Sequence, residues 1–494
     1  MAEQNPRRRN TRKPANRFWR QYVPIIITVL LSVFCVFMAV LTINTIRDAM
    51  NARPTVPPTE QLGSDPTAST QGTAPTDEST IPTESTAPTT PEAVTELLAQ
   101  AEFQAAGYDY QGAIALLQGY DGYENHPELT DAIARFAEED KKLVSYKDID
   151  KVTHIFFHSL IVDTDRAFDG DGDANGYNMY MCTVDEFNAV LQQMYDRGFV
   201  LVTPYDVAYE VTDENGTHFV YGDIRLPAGK TPFIMSQDDV NYYSYMISSG
   251  NGKNETPYFA DHANDGFASK IVIGEDGYPT CEYVDKDGNI LYGDYDLVPL
   301  LERFIQQHPD FAYHGARAVL GVTGYEGVLG YRTKPSYETT MGTADYQKEV
   351  EEAKKVVACL KEKGWILASH SYGHPAYGNL TAAEVAEDSN KWETTVQPII
   401  GDCDIILYPH GSDIASWHKY DFSNQKFAAL YEDGYRYFFN VDSAVYWTQL
   451  TEYCYRGGRR NIDGIRLLRD PHLLSDLFDV AAVTDPARPE LKLS

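Results

Sequence analysis

Residues 366–374 read ILASHSYGH, a short apolar run that stops at two histidines four positions apart. The run from Trp365 to Ser369 has the length of a buried strand and is too short for a buried helix. Gly373 and Pro375 then break the chain, and Thr381 with Glu384 forms a capping box that opens a helix. His370 and His374 therefore lie in a strand-to-helix loop. An isolated H-x-x-x-H in such a loop reads by default as two solvated side chains. A metal reading needs a third ligand from elsewhere, and a fold that brings it close.

The same alternation recurs from about Lys151 onward. HIFFHSLIV, FVLVT, TPFIMS, ARAVLGVTG, WILAS, CDIILYP and YRYFFNV read as strands. Amphipathic helices stand between them: TVDEFNAVLQQMYDRG with a Thr183/Glu186 capping box, LVPLLERFIQQH, DYQKEVEEAKKVVACLKEKG and NQKFAALYEDG. Repeated βα units predict an α/β fold with a largely parallel sheet, and about seven of them favour a closed barrel over an open sheet. In a barrel the C-terminal strand ends converge on one face. Three of these ends are polar: FIMSQDDV ends in Asp238-Asp239, ILASHSYGH in its histidines and IILYPHG in Pro409-His410-Gly411. Two adjacent carboxylates repel unless a cation or hydrogen bonds compensate. Neighbours on an extended chain also point different ways, so one carboxylate can bind a metal while the other faces water or substrate. Two imidazoles and an aspartate suit a divalent ion with room left for water.

The remaining chain divides by composition. Residues 1–21 form a basic tail, and Val23 to Ile43 then runs 21 residues without a charge. At about 1.5 Å per residue this crosses a hydrocarbon core of roughly 30 Å, so 22–46 is expected to be a single membrane anchor. The basic residues before it place the N-terminus inside and the rest of the chain outside the cell. Residues 47–91 are rich in Pro and Thr, with little apolar surface to bury, and are expected to be a disordered spacer. Residues 92–146 read as a small helical segment, partly like one tetratricopeptide helix pair, packed on the domain that follows. That domain spans 150–485.

The chain carries a net charge of −31, and the first fifty residues hold eight Lys+Arg against two Asp+Glu, which leaves the remainder at −37. So acidic an exterior excludes nucleic acid as a partner. Of six cysteines one lies in the anchor, and the other five are scattered, with no C-x-x-C; neither a disulfide framework nor a zinc ribbon follows.

SQDDV, SHSYGH and YPHG, in this order and at these strand ends, resemble the first three motifs of the polysaccharide deacetylases, the NodB-homology proteins of carbohydrate esterase family 4. The resemblance covers roughly Val152 to Asp485. It implies a distorted (β/α)7 barrel, preceded here by the transmembrane helix, the disordered linker and the small helical segment. It implies Asp238 as catalytic base, and Asp239, His370 and His374 as ligands of one divalent metal, zinc by default, with cobalt, nickel or manganese as alternatives. It implies a substrate-groove loop of Tyr408, Pro409, His410 and Gly411, in which the His410 backbone N–H helps bind the oxyanion.

The chain departs from the family's pattern at three points. Val240 stands where the first motif ends in glycine. Leu407 stands where the third begins with the arginine that orients the catalytic aspartate, a role another cation could take. The last motif supplies the family's general-acid histidine, and only GIRLLRDPHLLSD lies near its place; His472 and His410 are the two candidates.

Other features read more plainly. Residues 241–297 form an insertion, containing a hairpin with Asp287-Gly288 at its turn, that either walls the groove or decorates the barrel. DGDGDANG, residues 169–176, starts like a calcium loop at Asp171, Asp173 and Asn175, but position twelve is Cys182 instead of a glutamate, and it reads as a solvated acidic loop. His158 reads as a hydrogen-bonded barrel residue that could approach the site from another edge. The function expected is a membrane-anchored extracellular deacetylase acting on N-acetylated cell-wall or other polysaccharide. The rivals are an inactive glycan-binding barrel and a scaffold that recruits a partner through 92–143.

Overall fold

The computed structural model describes residues 90–214, 216–248 and 259–492. The expected tail 1–21, anchor 22–46 and linker 47–91 lie outside them, except that Thr90 and Pro91 begin the first helix. Among the described residues no helix is long and apolar enough to cross a membrane.

Seven parallel strands form a closed ring: β1 Thr153–Phe157, β2 Thr231–Gln237, β3 Val319–Val322, β4 Ile366–Ser369, β5 Ile405–Leu407, β6 Tyr437–Val441 and β7 Tyr455–Asn461. Each pairs with the next, and β7 returns to β1 with Arg459 opposite His154. The ring is distorted in two places. The short strand Phe199–Leu201 takes the first half of β2, so β3 meets β2 only at Ser236 and Gln237. Between β6 and β7 the helix is replaced by Thr448–Leu450, antiparallel to β7.

Strand parity sorts the side chains. Ile234, Val319, Ala368, Ile405, Leu407, Phe439 and Tyr455 fill the ring interior. Their neighbours Met235, Leu320 and Leu367 pack outward, among Phe187, Leu301 and Val357 of the surrounding helices. This two-layer burial explains why the strands read as continuous apolar runs rather than alternating ones.

Three helices precede the barrel: α1 Thr90–Ala106, α2 Tyr110–Gln118 and α3 Pro127–Asp140. They share a core of Val94, Ala101, Ala113, Leu117, Leu129 and Phe136. They dock beside the loop that enters β3, where the His314 N–H donates to Gly107 O at 2.8 Å and the Tyr108 hydroxyl donates to Asp310 O at 3.0 Å. This is the N-terminal end of the barrel, away from the polar strand ends. The expected packing of this segment on the next domain is therefore observed.

The barrel helices are α4 Val184–Asp196, α5 Leu297–Gln307, α6 Thr343–Glu362, α7 Ala382–Thr395 and α8 Gln425–Glu432. Both expected capping boxes are present, at α4 and α7. The insertion contains a three-stranded antiparallel sheet, Ala268–Ile273, Pro279–Val284 and Ile290–Gly293, and its hairpin turns at Gly288, whose φ is 81°.

Candidate metal centre and active site

The loops after β2, β4 and β5 meet at the C-terminal mouth of the ring. Their backbones are tightly held. Asp238 N–H donates to Phe157 O at 2.9 Å, Val240 N–H to Gly321 O at 3.0 Å, and His370 N–H to Val322 O at 2.9 Å. Among the described residues nine non-glycine residues have positive φ, and five of them lie here: Asp239, Tyr242, Ser371, His374 and His410. Such conformations are sparsely populated and persist where surrounding structure over-determines them.

Asp239, His370 and His374 offer three ligand atoms within 4.8 Å of one another. His374 Nε2 lies 3.6 Å and His370 Nε2 4.0 Å from Asp239 Oδ2. His370 Nδ1 sits 2.7 Å from Leu407 O. A carbonyl only accepts, so Nδ1 carries the proton and Nε2 is left facing the cluster. The carboxylate of Asp388 on α7 accepts from Tyr372 N–H at 2.8 Å and Gly373 N–H at 3.0 Å, and so grips the turn between the two histidines. Burial alone would raise the Asp239 pKa, but the His370 and His374 imidazoles outweigh it and hold the carboxyl below its usual range. Burial also lowers the pKa of His374, against the pull of Asp239. Two imidazole nitrogens and one carboxylate oxygen on one small locus fit a divalent cation.

Asp238 points the other way, into the ring. Arg459 of β7 meets it with two parallel contacts, Nη1 to Oδ1 at 2.5 Å and Nη2 to Oδ2 at 2.9 Å. Both groups are buried, Asp238 at 3% and Arg459 at 0% exposure. Burial would raise the Asp238 pKa; Arg459 and then His370 outweigh it, and the carboxyl lies well below the usual range. Arg459 also donates to Ser236 Oγ at 3.2 Å, and its guanidinium lies 4.4 Å over the Phe156 ring. The cation missing at Leu407 is thus supplied from a different strand. Leu407 itself packs beside Asp238: a Cβ placed on Gly321 would stand 2.9 Å from Leu407 Cδ1 and 3.5 Å from Asp238 Oδ1.

The loop after β5 is only partly as expected. His410 is at the exposed rim, its ring 4.4 Å from that of His374. Its backbone N–H has no partner among the described residues, whereas those of Gly411 and Ser412 bond back to Tyr408 O and Pro409 O. Gly411 closes against β6, where a Cβ would stand 2.5 Å from Val441 Cβ. Pro409 is buried beneath this turn. Tyr408 does not face the groove. It is 1% exposed, sits in the outer core with Ile406 and Phe438, and its hydroxyl lies 3.0 Å from Tyr420 Oη. The expectation of a substrate contact there is corrected, because strand parity at β5 turns Tyr408 outward when Leu407 turns in.

His472 is corrected as well. Arg459 points into the ring, so Arg460 points out, and it donates to Leu473 O and to Asp476 at 2.6 Å. His472, in the turn Pro471–Leu473 and exposed, therefore lies outside the barrel wall. His158 approaches the mouth instead. Its Nδ1 is 3.0 Å from Tyr180 O, which leaves Nε2 for another partner. Its imidazole is among the lesser influences on the carboxyls of Asp238 and Asp239, which stronger neighbours hold low, and of Asp463, which burial holds above the usual range, so it lies within electrostatic reach of all three.

Arg459, Asp388 and Tyr243, whose hydroxyl donates to Asp239 Oδ1 at 2.6 Å, escaped the reading of the sequence. The one signal was the arginine pair in GGRRN: a buried strand with two adjacent cations needs an anion on each side.

A second acidic group, Asp171, Asp173 and Asp265, lies on the DGDGDANG loop and the insertion. Asp171 and Asp173 are exposed. Cys182, at position twelve, is buried with its thiol on Ile462 O at 3.3 Å, so the closing ligand of a calcium loop is missing.

No family model and no curated protein matches the chain. Solved structures that match include the deacetylase PplD of Streptococcus pyogenes in complex with acetate, over 68% of this chain and 99% of that one, at 12% identity and a TM-score of 0.34. The chitin deacetylase of the fungal pathogen Colletotrichum lindemuthianum matches over 37% of this chain and 75% of that one, at 12% identity and a TM-score of 0.19. A mutant of a CE4 family pseudoenzyme with restored enzymatic activity matches over 42% and 86%, at 9% identity and a TM-score of 0.19. Two of these are deacetylases by name, and the third is described as of the CE4 family.

Proposed function

We propose that this protein is a metal-dependent deacetylase that removes acetyl groups from an N-acetylated polysaccharide, of the cell wall or a similar polymer, outside a membrane to which residues 22–46 anchor it. The observation that carries the reading is a single barrel mouth holding both a carboxylate locked by a buried arginine and a His-His-Asp donor set.

A divalent ion held by Asp239, His370 and His374, zinc by default, would supply Lewis-acid polarisation of the acetyl carbonyl and a more acidic water. Asp238 takes the proton of the attacking water. Its Oδ2 lies 3.9 Å from His370 Nε2, so the base faces the same centre. Arg459 keeps it ionised and fixes its plane. A carboxylate so stabilised is a weak base, and it would suit a water that a divalent ion held by Asp239, His370 and His374 made more acidic. The free N–H of His410 donates to the developing oxyanion. His158, oriented by Tyr180 O, gives its Nε2 proton to the leaving amine. Acetate and a free amino sugar result.

The glycan-binding alternative rests on the leucine at 407 and on the lack of a clear general-acid histidine; the Arg459–Asp238 pair weighs against the first ground, and turnover tests the second. Acetate release from chito-oligosaccharides and peptidoglycan by the purified, zinc-loaded full-length protein tests the proposal. The expected result is release that Asp238→Asn and His370→Ala both abolish. Zinc binding without release from either substrate would count against it.

A further inference from the structure

The stretch after the metal aspartate, V-N-Y-Y, folds back on the site. Tyr243 is 3% exposed, and its hydroxyl makes two contacts: Asp239 Oδ1 at 2.6 Å and Thr323 Oγ1 at 2.8 Å. A carboxylate only accepts, so the phenol donates to Asp239 and the Thr323 hydroxyl donates to the phenol. Thr323 is itself clamped. Its N–H donates to Asn241 Oδ1 at 3.0 Å, and Asn241 Nδ2 donates to Thr323 O at 2.9 Å. Buried Arg332 donates to Tyr242 O at 2.7 Å and holds the same turn from behind. The Tyr243 ring is stacked between Tyr325, at 4.8 Å and 8°, and Tyr245, at 5.9 Å and 13°. Every group in this chain is held by another group of the protein, as preorganised support requires.

The consequence falls on one oxygen. Asp239 Oδ1 is occupied by the phenol, and Oδ2 alone faces His370 and His374. We infer that Tyr243 is a positioning residue that makes Asp239 a one-oxygen ligand and holds it at the geometry the metal needs. The inference rests on the metal reading above and deepens it. The phenylalanine variant keeps the ring and its stack but leaves Asp239 Oδ1 and the Thr323 hydroxyl without their partner. The carboxylate is then free to turn or to ligate through both oxygens.

The test is zinc affinity of the purified full-length protein, read by competition with a chromophoric chelator, for the parent, Tyr243→Phe and Tyr245→Phe. Tyr243→Phe is expected to bind zinc about 10- to 100-fold more weakly, the usual effect of losing an outer-shell partner. Its metal-free thermal midpoint falls only slightly, by what the two lost hydrogen bonds of the hydroxyl account for, because the ring and its packing are kept. The visible absorption of the cobalt-loaded protein shifts as the ligand geometry changes. Tyr245→Phe, which shares the stack but not the carboxylate, keeps parental affinity and spectrum. Equal zinc affinity and an unchanged cobalt spectrum for Tyr243→Phe would overturn the assignment alone. No zinc uptake by the parent would overturn the metal reading, and the assignment with it.

Discussion

Asp238 and Arg459 are 221 positions apart in the chain and meet inside the barrel through two parallel N–H to oxygen contacts. The pair exists because β2 and β7 both flank β1 in the closed ring, so their inward residues converge. Removing the guanidinium strands a buried carboxylate. Arg459→Leu should cost about 3–5 kcal/mol of stability, measured by urea denaturation, and abolish acetate release. Arg459→Lys keeps the charge but loses the two-pronged geometry, and should retain more stability than activity. Leu407 packs beside Asp238, so adding Leu407→Arg to Arg459→Leu should recover part of the loss.

His158 and His472 separate cleanly in kinetics. His158→Ala should lower kcat by about 100- to 10,000-fold, the range for a general acid, while zinc affinity stays at the parental value. His472→Ala, outside the barrel wall, should leave kcat and KM unchanged. His410→Ala keeps its backbone N–H and should lose far less than His158→Ala. Full activity in His158→Ala would remove its assigned role.

Tyr408 belongs to the core. Tyr408→Phe deletes the contact to Tyr420 and should destabilise the protein by about 1 kcal/mol, the usual net value of a hydrogen bond. KM for the polysaccharide should not move. A raised KM with unchanged stability would return Tyr408 to the groove.

Asp265 gives a pH signature in stability. Burial, with Asp171 and Asp169 close by, pushes its carboxyl up to about 6, against the Tyr177 hydroxyl that bonds it at 2.7 Å. The unfolded carboxyl titrates at about 3.9. Between these values the folded chain holds a proton that the unfolded chain has released, so stability falls as pH rises from about 4 to about 6 and is flat above. Asp265→Asn should remove that slope and raise the thermal midpoint at pH 7 but not at pH 4. A parental slope in the variant would assign the effect to another group.

The alternation of strands and helices, the two capping boxes and the three polar strand ends could all be read from the sequence, because each depends on residues within a few positions of one another. That the polar strand ends meet follows from one global rule, that parallel barrel strands end on a common face; the choice of Asp239 over Asp238 as the ligand beside His370 and His374 rests on the family resemblance, and those three side chains lie together in the structure. The partners of those residues obey no local rule. Arg459 reaches Asp238 and Arg460 reaches Asp476 because adjacent strand residues face opposite sides, and only closure of the ring decides which side holds the site. The same parity sent Tyr408 into the core and Leu407 to the place of the arginine. The chain offers His472 and His410 as the general acid and leaves His158 a barrel residue, since proximity to a site at the barrel mouth depends on how β1 and β7 are paired, not on distance along the sequence. Composition and short-range pattern determined what the strand ends carry; long-range packing decided which side chains meet there.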